Sequence, residues 1–352
     1  MFITGLGTAT PRNRYTQGEC WEAFQRAAQF ARLDRRARAT LQSVLLGDNG
    51  IHTRSLALDS LDEVFAIDPD TLHGRFARHA PVLASRAAAA ALAQAGLQPR
   101  DIDAVIISTC TGYLCPGLTS YVAERLGLRP DVLALDLVGQ GCGAALPNLR
   151  TAEALLKGQR PDTILSICVE VCSAAFYLDN DPGVLISACL FGDGAGAAVL
   201  AAVPNPEGPR IEWKSASSVS NPAERDALRF EQKGGMLRNI LTPQVPRLAA
   251  QHAEIVLNDV LENAGLSRRE IGTWIWHAGG RKVLAALRET LRLTAADMRW
   301  SSRVLSEFGN LSSPFVYFVL QEALRDDAPA GWWWMSSFGA GFSCHGALLK
   351  VA

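Results

Sequence analysis

The sequence predicts an α/β protein made of two similar halves. Short apolar runs of strand length, AVIIS (104–108), VLALDL (132–137), TILSIC (163–168) and WIW (274–276), alternate with longer stretches of helical pattern, as expected for buried strands joined through helices. AGLQPRDIDAVIIST (95–109) is echoed by AGLSRREIGTWIWHA (264–278) at an offset of 169 residues. Two further pairs keep nearly that spacing: GCGAALPNLRTAEAL (141–155) with GNLSSPFVYFVLQEAL (309–324), and GDGAGAAVL (192–200) with GAGFSCHGALL (339–349). A chance match of one AGL motif explains only the first pair, whereas a duplicated βα unit explains all three.

The elements follow in order. RLDRRARA (32–39) is a charge run that reads as the solvated face of a helix, with a grip on a phosphorylated cofactor as the alternative. SRAAAAALAQAGL (85–97) reads as a helix packed closely on its neighbours and ended by Gly96. AVIIS and VLALDL follow as buried strands. The glycine-rich turn around Cys142 then opens a helix, in which Pro147 removes an N–H just past the first turn and predicts a kink. GDGAG (192–196) precedes AAVLAAV, a strand, so it reads as a tight β-turn and not as a phosphate loop feeding a helix. PNPEGPR (204–210) is the turn-rich join between an N-terminal half, 1–205, and a C-terminal half, 206–352. WWW (332–334) reads as strand core or subunit contact in preference to a binding platform.

Bulk properties exclude several classes. A chain of 352 residues is long enough for two domains or one large double one. With 34 Lys and Arg against 35 Asp and Glu the net charge is −1, so no basic field recruits nucleic acid or an anionic membrane. No apolar run reaches membrane-spanning length, and the start MFITGLGTATPRNR lacks the order of a signal peptide, so a soluble cytoplasmic protein is expected. The eight cysteines lie mostly in apolar segments and fit reduced thiols; their spacing lacks CxxC pairs, which argues against a metal.

Three residues stand out as chemistry. Cys142 follows a strand and opens a helix, where the helix dipole and free N–H groups lower a thiol pKa; the plainer reading is a small buried residue at a turn. His277 ends the strand WIW, and strand ends of a duplicated α/β fold meet where sites form; alone it would be structural. Asn310, in SEFGNLSS, mirrors Cys142; alone it would be an N-cap, with Ser312 and Ser313 as equal rivals. Together they make a set with a physical logic: a nucleophile, an imidazolium partner and an amide donor to a developing oxyanion.

At these residues the sequence resembles the thiolase superfamily, and within it the type III polyketide synthases, the group that includes chalcone synthase. The likeness runs over nearly the whole chain and rests on VGQGCGAA (138–145), VEVCSAAF (169–176), CLFGDGAGA (189–197), WHAGG (276–280), SEFGNLSS (306–313) and FGAGF (338–342). It implies a thiolase-like five-layer αβαβα fold of two pseudo-symmetric halves, assembled as a homodimer. It also implies acyl transfer from an acyl-CoA starter to Cys142, then repeated decarboxylative condensation with malonyl-CoA at His277 and Asn310, without a cofactor, and cyclisation to a pyrone or resorcinol-type product. Phe191 falls where the family keeps an aromatic shield, and Cys115 where a loop reaches the partner's cavity. Cys110, Thr111 and Ser312 join them as substrate-binding candidates.

Where plant members carry basic CoA contacts, this chain has Leu41, Val44 and Asp48; Arg54 and the arginines at 35, 36 and 38 are the substitutes, and an acyl carrier protein stays open as donor. Asn239 stands near a second gatekeeping aromatic, and Cys172 and Ala175 where threonines usually line the cavity, so an aliphatic starter is expected. The nearest rival, a ketoacyl synthase III-like enzyme performing one condensation on carrier-protein substrates, usually has an HQAN-like motif where this chain has HAGG. A non-catalytic scaffold would be favoured by loss of one of the three residues, and none is missing. A Cys-His-Asn hydrolase leaves the duplication without a role.

Overall fold

A computed structural model describes residues 1–158, 161–206 and 210–352. In the first half the chain runs β1 (Phe2–Ala9), β2 (Arg14–Thr16), α1 (Gln17–Arg26), α2 (Ala28–Arg32), α3 (Arg35–Leu46), β3 (Thr53–Ser55), α4 (Pro69–Ala95), β4 (Ala104–Thr109) and α5 (Leu118–Leu126). It continues through β5 (Leu133–Val138), α6 (Ala145–Leu156), β6 (Thr163–Glu170), α7 (Pro182–Leu190) and β7 (Gly194–Ala201). The second half comprises β8 (Ile211–Ser220), β9 (Leu228–Lys233), β10 (Met236–Leu241), α8 (Val245–Ala264), β11 (Ile271–Trp276), α9 (Arg281–Leu291), α10 (Arg299–Phe308), α11 (Phe315–Arg325), β12 (Gly331–Gly339) and β13 (Ser343–Val351). The join PNPEGPR lies partly outside the described residues, at 207–209.

The duplication has a geometric counterpart. Helix α4 starts with Asp68 accepting from Thr71 N and Pro69 in its first turn, and ends at Gly96 with φ 67°. Helix α8 ends at Gly265 with φ 64°, the left-handed cap that glycine adopts without a Cβ clash. In both halves a short 3₁₀ turn with a reciprocal cap follows, Gln98 with Asp101 and Ser267 with Glu270, and leads into β4 or β11.

The strand order repeats too. The main sheet runs β11-β12-β13-β8-β1-β7-β6-β4-β5. Outward from the β8/β1 centre, each half has two antiparallel pairings and then a parallel one, β12 with β11 or β6 with β4. Helices α4 and α8 cover the outer faces, while α6 and α11 lie between the halves, each touching strands of both. These are the five αβαβα layers of a thiolase-like fold, closed by a core that includes Trp276, Trp333, Trp334 and Phe315.

Two expectations are corrected. VLALDL becomes β5, the outer edge of the sheet, with Leu133 42% and Val138 56% exposed in the single chain, because among the described residues no further strand pairs beyond it. Pro147 does not kink a helix: α6 starts at Ala145, so Pro147 sits in the first turn, where its N–H would have no intrahelical partner. A 3₁₀ turn, Gly141–Gly143, precedes the helix. The arginines at 35, 36 and 38 lie on the exposed face of α3, GDGAG leads into β7, and WWW lies in β12, with Trp333 and Trp334 buried in the core.

Candidate active site

The residues of interest gather at the carboxyl ends of parallel strands. Cys110 and Thr111 follow β4, Cys142 follows β5, Glu170 ends β6 and His277 follows β11, the edge where open α/β sheets form their sites. The turn bearing Cys142 is pressed against FGAGF: a Cβ on Gly339 would lie 2.5 Å from Gly143 N and 2.7 Å from Gln140 O. Glycine there lets the second half's backbone close directly under the thiol.

Cys142 is 9% exposed. Its hydrogen-bond partner is Ser312, whose hydroxyl donates to Sγ at 3.2 Å. Ser312 holds a left-handed backbone, φ 60°, fixed by its own N–H donating to Asn310 Oδ1 at 2.9 Å. Burial pushes the Cys142 thiol up to about 12, with the Ser312 hydrogen bond lowering it and the nearby Glu170 charge raising it. The lowering expected from a helix start is thus outweighed, because the thiol lies inside the protein.

Asn310 is clamped from both sides. Its N–H donates to Leu190 O at 2.8 Å, Gly192 N–H donates to its carbonyl at 3.0 Å, and Phe191 faces it in an isolated parallel bridge. The side-chain Nδ2 donates to Gly279 O at 3.3 Å, two residues beyond His277. With Oδ1 and one amide hydrogen engaged, the second amide hydrogen remains for a ligand.

His277 is held between the edges of Phe315 and Phe338, ring centroids 5.3 and 5.1 Å away. Neither ring nitrogen has a hydrogen-bond partner among the described residues. Burial lowers its pKa to about 3, which favours the neutral imidazole in the closed site. A neutral ring still carries one N–H donor.

A cavity opens beside this group, lined by Thr111, Cys172, Ala175, Phe191, Asn239 and Ser312. Arg54, considered above for CoA phosphates, is corrected to a wall of this cavity: it is 4% exposed and donates to the carbonyls of Ala188 and Phe191, both at 2.9 Å, so it is not presented at the surface. Cys110 lies behind the wall, between Glu170 and Ser312. Cys115 is exposed on the loop after β4 and does not reach this cavity in its own chain. All eight cysteines are free thiols. Among the described residues no group of three or more His, Cys, Asp and Glu is placed to hold a metal, and no helix is long and apolar enough to cross a membrane.

Sequence reasoning missed two features. One is Glu170, a wholly buried carboxylate that accepts from Thr109, Thr111, Ser313 and Cys110; its signal was an acid ending the apolar strand TILSICV. The other is the apolar far wall, Ala23, Phe24, Leu61, Val64 and Phe65, which comes from the segment before α4. No local pattern marked it.

A thiol at a strand–helix turn, joined through Ser312 and Asn310 to the backbone at Gly279 just beyond His277, lies at the junction of a five-layer duplicated α/β fold of the thiolase type. Two family models match the chain, the one described as FAE1/Type III polyketide synthase-like protein over residues 16–212 and the chalcone and stilbene synthase C-terminal domain over 218–351. The 3,5-dihydroxyphenylacetyl-CoA synthase of Streptomyces toyocaensis is 31% identical, spanning 99% of this chain and 89% of the relative. The 1,3,6,8-tetrahydroxynaphthalene synthase of Streptomyces peucetius subsp. caesius is 30% identical over 99% and 92%. In fold the chain is similar to PKS-I from the brown algae Ectocarpus siliculosus, with TM-score 0.91, 24% identity and 99% and 98% coverage. It is also similar to the tetrahydroxynaphthalene synthase of Streptomyces coelicolor A3(2), with TM-score 0.88, 21% identity and 100% and 99% coverage. The chain belongs to the type III polyketide synthases and is a condensing acyltransferase.

Proposed function

We propose that Cys142 accepts an acyl group from an acyl-CoA starter and that His277 and Asn310 drive its extension with malonyl-CoA. The observation that carries this reading is the hydrogen-bonded junction of the halves: Ser312 reaches Cys142 while its backbone orients the Asn310 amide, which in turn meets the strand end bearing His277. In this reading 1–205 supplies the acyl carrier and 206–352 the two donors.

The chemistry runs in steps. Cys142 loses its proton and attacks the starter thioester as the thiolate, and CoA leaves as a thiolate that takes up a proton. Malonyl-CoA then binds with its thioester carbonyl toward the imidazole N–H and the free amide N–H. Loss of CO2 leaves the electron pair of the broken C–C bond as an enolate, whose oxygen those donors stabilise. The carbanion attacks the acyl-Cys142 carbonyl, the thiolate departs, and the chain is two carbons longer. Neutral donors suit this step, since they need not exchange a proton while charge develops. A site this enclosed limits hydrolysis of the intermediate. The enzyme needs no metal or other cofactor for any of these steps.

The apolar wall of Phe24, Leu61, Val64 and Phe65 favours an aliphatic acyl chain. The protein acts in the cytoplasm as a homodimer, a reading supported by the exposed edge β5 and by Tyr113, 68% exposed on the loop before Cys115.

The test is an assay of the purified protein with malonyl-CoA and a panel of acyl-CoA starters, followed by mass spectrometry. CO2 release with pyrone or resorcinol-type products is expected, and Cys142→Ala should form neither acyl-enzyme nor extended product. Unchanged product in that variant overturns the reading; a single condensation, and only from carrier-protein substrates, assigns the chain to the ketoacyl synthase III-like rival.

A further inference from the structure

Arg54 is a buried cation held by a helix end. It is 4% exposed, and among the described residues its guanidinium bonds to backbone carbonyls only, with Nε left without a partner. Those carbonyls close α7. A helix leaves its last four C=O groups without intrahelical donors, and here each is met from outside. Arg54 Nη1 donates to Ala188 O and Phe191 O, both at 2.9 Å, Gln17 Nε2 donates to Cys189 O at 3.0 Å, and the Asn310 N–H donates to Leu190 O at 2.8 Å. The negative end of the helix dipole takes the place of a counter-ion for the guanidinium. Arg54 and the backbone of Asn310 are thus parts of one cap.

The Arg54 stem reaches Asn310 from a second side. A Cβ on Gly309 would lie 2.9 Å from Arg54 Cγ, 3.2 Å from Cδ and 2.7 Å from Leu190 O, so glycine is what lets the stem run along the backbone leading into Asn310. The strand that carries Arg54 also ties the two segments together. Thr53 Oγ1 donates to Glu307 O at 2.6 Å, just before Gly309, and the Asp193 N–H donates to Ser55 O at 2.8 Å, just after Phe191. Strand β3 therefore stands between the two turns that bring Phe191 and Asn310 into their parallel bridge.

We propose that Arg54 is a positioning residue for decarboxylation: by capping α7 and bracing Gly309, it fixes the Asn310 amide and the Phe191 ring relative to each other. This rests on the reading of Asn310 as a donor to the enolate oxygen. Such a donor acts only when it is held where charge will develop, and a displacement of about 1 Å can cost up to about a hundredfold in rate. Cys142 is held by other means, through the Ser312 hydroxyl and the packing of its turn on Gly339. Loss of Arg54 should therefore fall more heavily on the step that uses Asn310 than on acylation of Cys142.

The test compares malonyl-CoA decarboxylation, read as CO2 release, with the burst of Cys142 acylation by an acyl-CoA starter, read by mass spectrometry of the protein. Arg54→Met keeps a stem and removes both hydrogen bonds. It should lower kcat for decarboxylation about ten- to a hundredfold, with KM changed by less than about threefold and a loss at least about fivefold greater than that in the acylation rate. Arg54→Lys, which keeps a cationic donor on the helix end, should recover part of the loss. In an Asn310→Ala background the Arg54→Met change should cost less than about twofold, because a residue acting through Asn310 then has no amide to place. Should Arg54→Met not fold, Arg54→Lys takes its place in both comparisons, with a several-fold loss expected. Parallel losses in both steps that follow the urea midpoint, or the full loss repeated in the Asn310→Ala background, would make Arg54 a structural support only and overturn the proposal, as would a wild-type decarboxylation rate in Arg54→Met. Failure of the donor reading is seen separately, as decarboxylation that is unimpaired in Asn310→Ala.

Discussion

At Cys142 the decisive physics is desolvation. A thiol at the head of a helix looks acidified in sequence, but enclosure overrides the dipole, and the hydroxyl that meets it comes from Ser312 in the other half. His277 shows the same effect, its ring nitrogens buried without a hydrogen-bond partner among the described residues and its pKa lowered by burial to about 3. His277→Ala should therefore lower malonyl-CoA decarboxylation by about a hundredfold or more, the cost of losing one oxyanion donor, measured as CO2 release. In the wild type that rate should show no step from His277 near its ordinary value of about 6.5; such a step, absent from His277→Gln, would mean the ring is protonated in the working enzyme. Cys142 and Asn310 stood out as candidates because their positions mirror each other in the duplicated sequence, and His277 because it ends the strand that echoes β4. Glu170 and Ser312 gained their roles only through contacts across about 140 to 170 residues of chain.

Among the elements, the FGAGF turn and the Cys142 turn depend on each other. The Cβ of Gly339→Ala would strike the backbone at Gly143 and Gln140, groups that cannot swing aside as a flexible side chain would. Overpacking of this kind costs about 1–3 kcal/mol, so the variant should lower the urea midpoint and, because the displaced backbone carries the thiol, also slow acylation of Cys142 in an acyl-CoA burst experiment. Loss of stability with an unaltered burst would separate the two turns. Strand β5 illustrates where reading by element fails. Its apolar pattern is that of a buried strand, yet burial of an edge depends on what lies beyond it, and among the described residues no strand pairs with its outer side.

For the molecule as a whole, that edge and the buried histidines set the measurable behaviour. Leu133→Lys combined with Val138→Lys should shift the assembly from dimer to monomer in light scattering; a wild type that is already monomeric ends the dimer proposal. On acidification, His277 and His345, lowered by burial to about 3 and about 4, stay neutral in the folded state while the unfolded chain takes up protons near 6.5. Their contribution to stability is complete above that value and is lost as pH falls through it, by up to about 1.4 kcal/mol per group for each pH unit. Glu170 and Asp193, raised by burial, act oppositely, favouring the folded state at low pH and weakening it as pH rises. The difference between wild type and His277→Gln in urea unfolding, from about pH 7 to about pH 5, isolates the histidine: the variant should lose less stability than the wild type.

The amino-acid order by itself determined the α/β class and the family and pointed to Cys142, His277 and Asn310 as the proposed reacting residues, because strand periodicity, glycine caps and a repeat at fixed spacing are local signals that survive without coordinates. The tertiary structure alone decided which groups are dry, that Arg54 lines the cavity instead of facing solvent, that β5 is an edge, and that Ser312 of the second half meets Cys142 of the first. Burial and long-range hydrogen bonds depend on what the rest of the chain places around a residue, and no window of neighbours along the sequence contains that information.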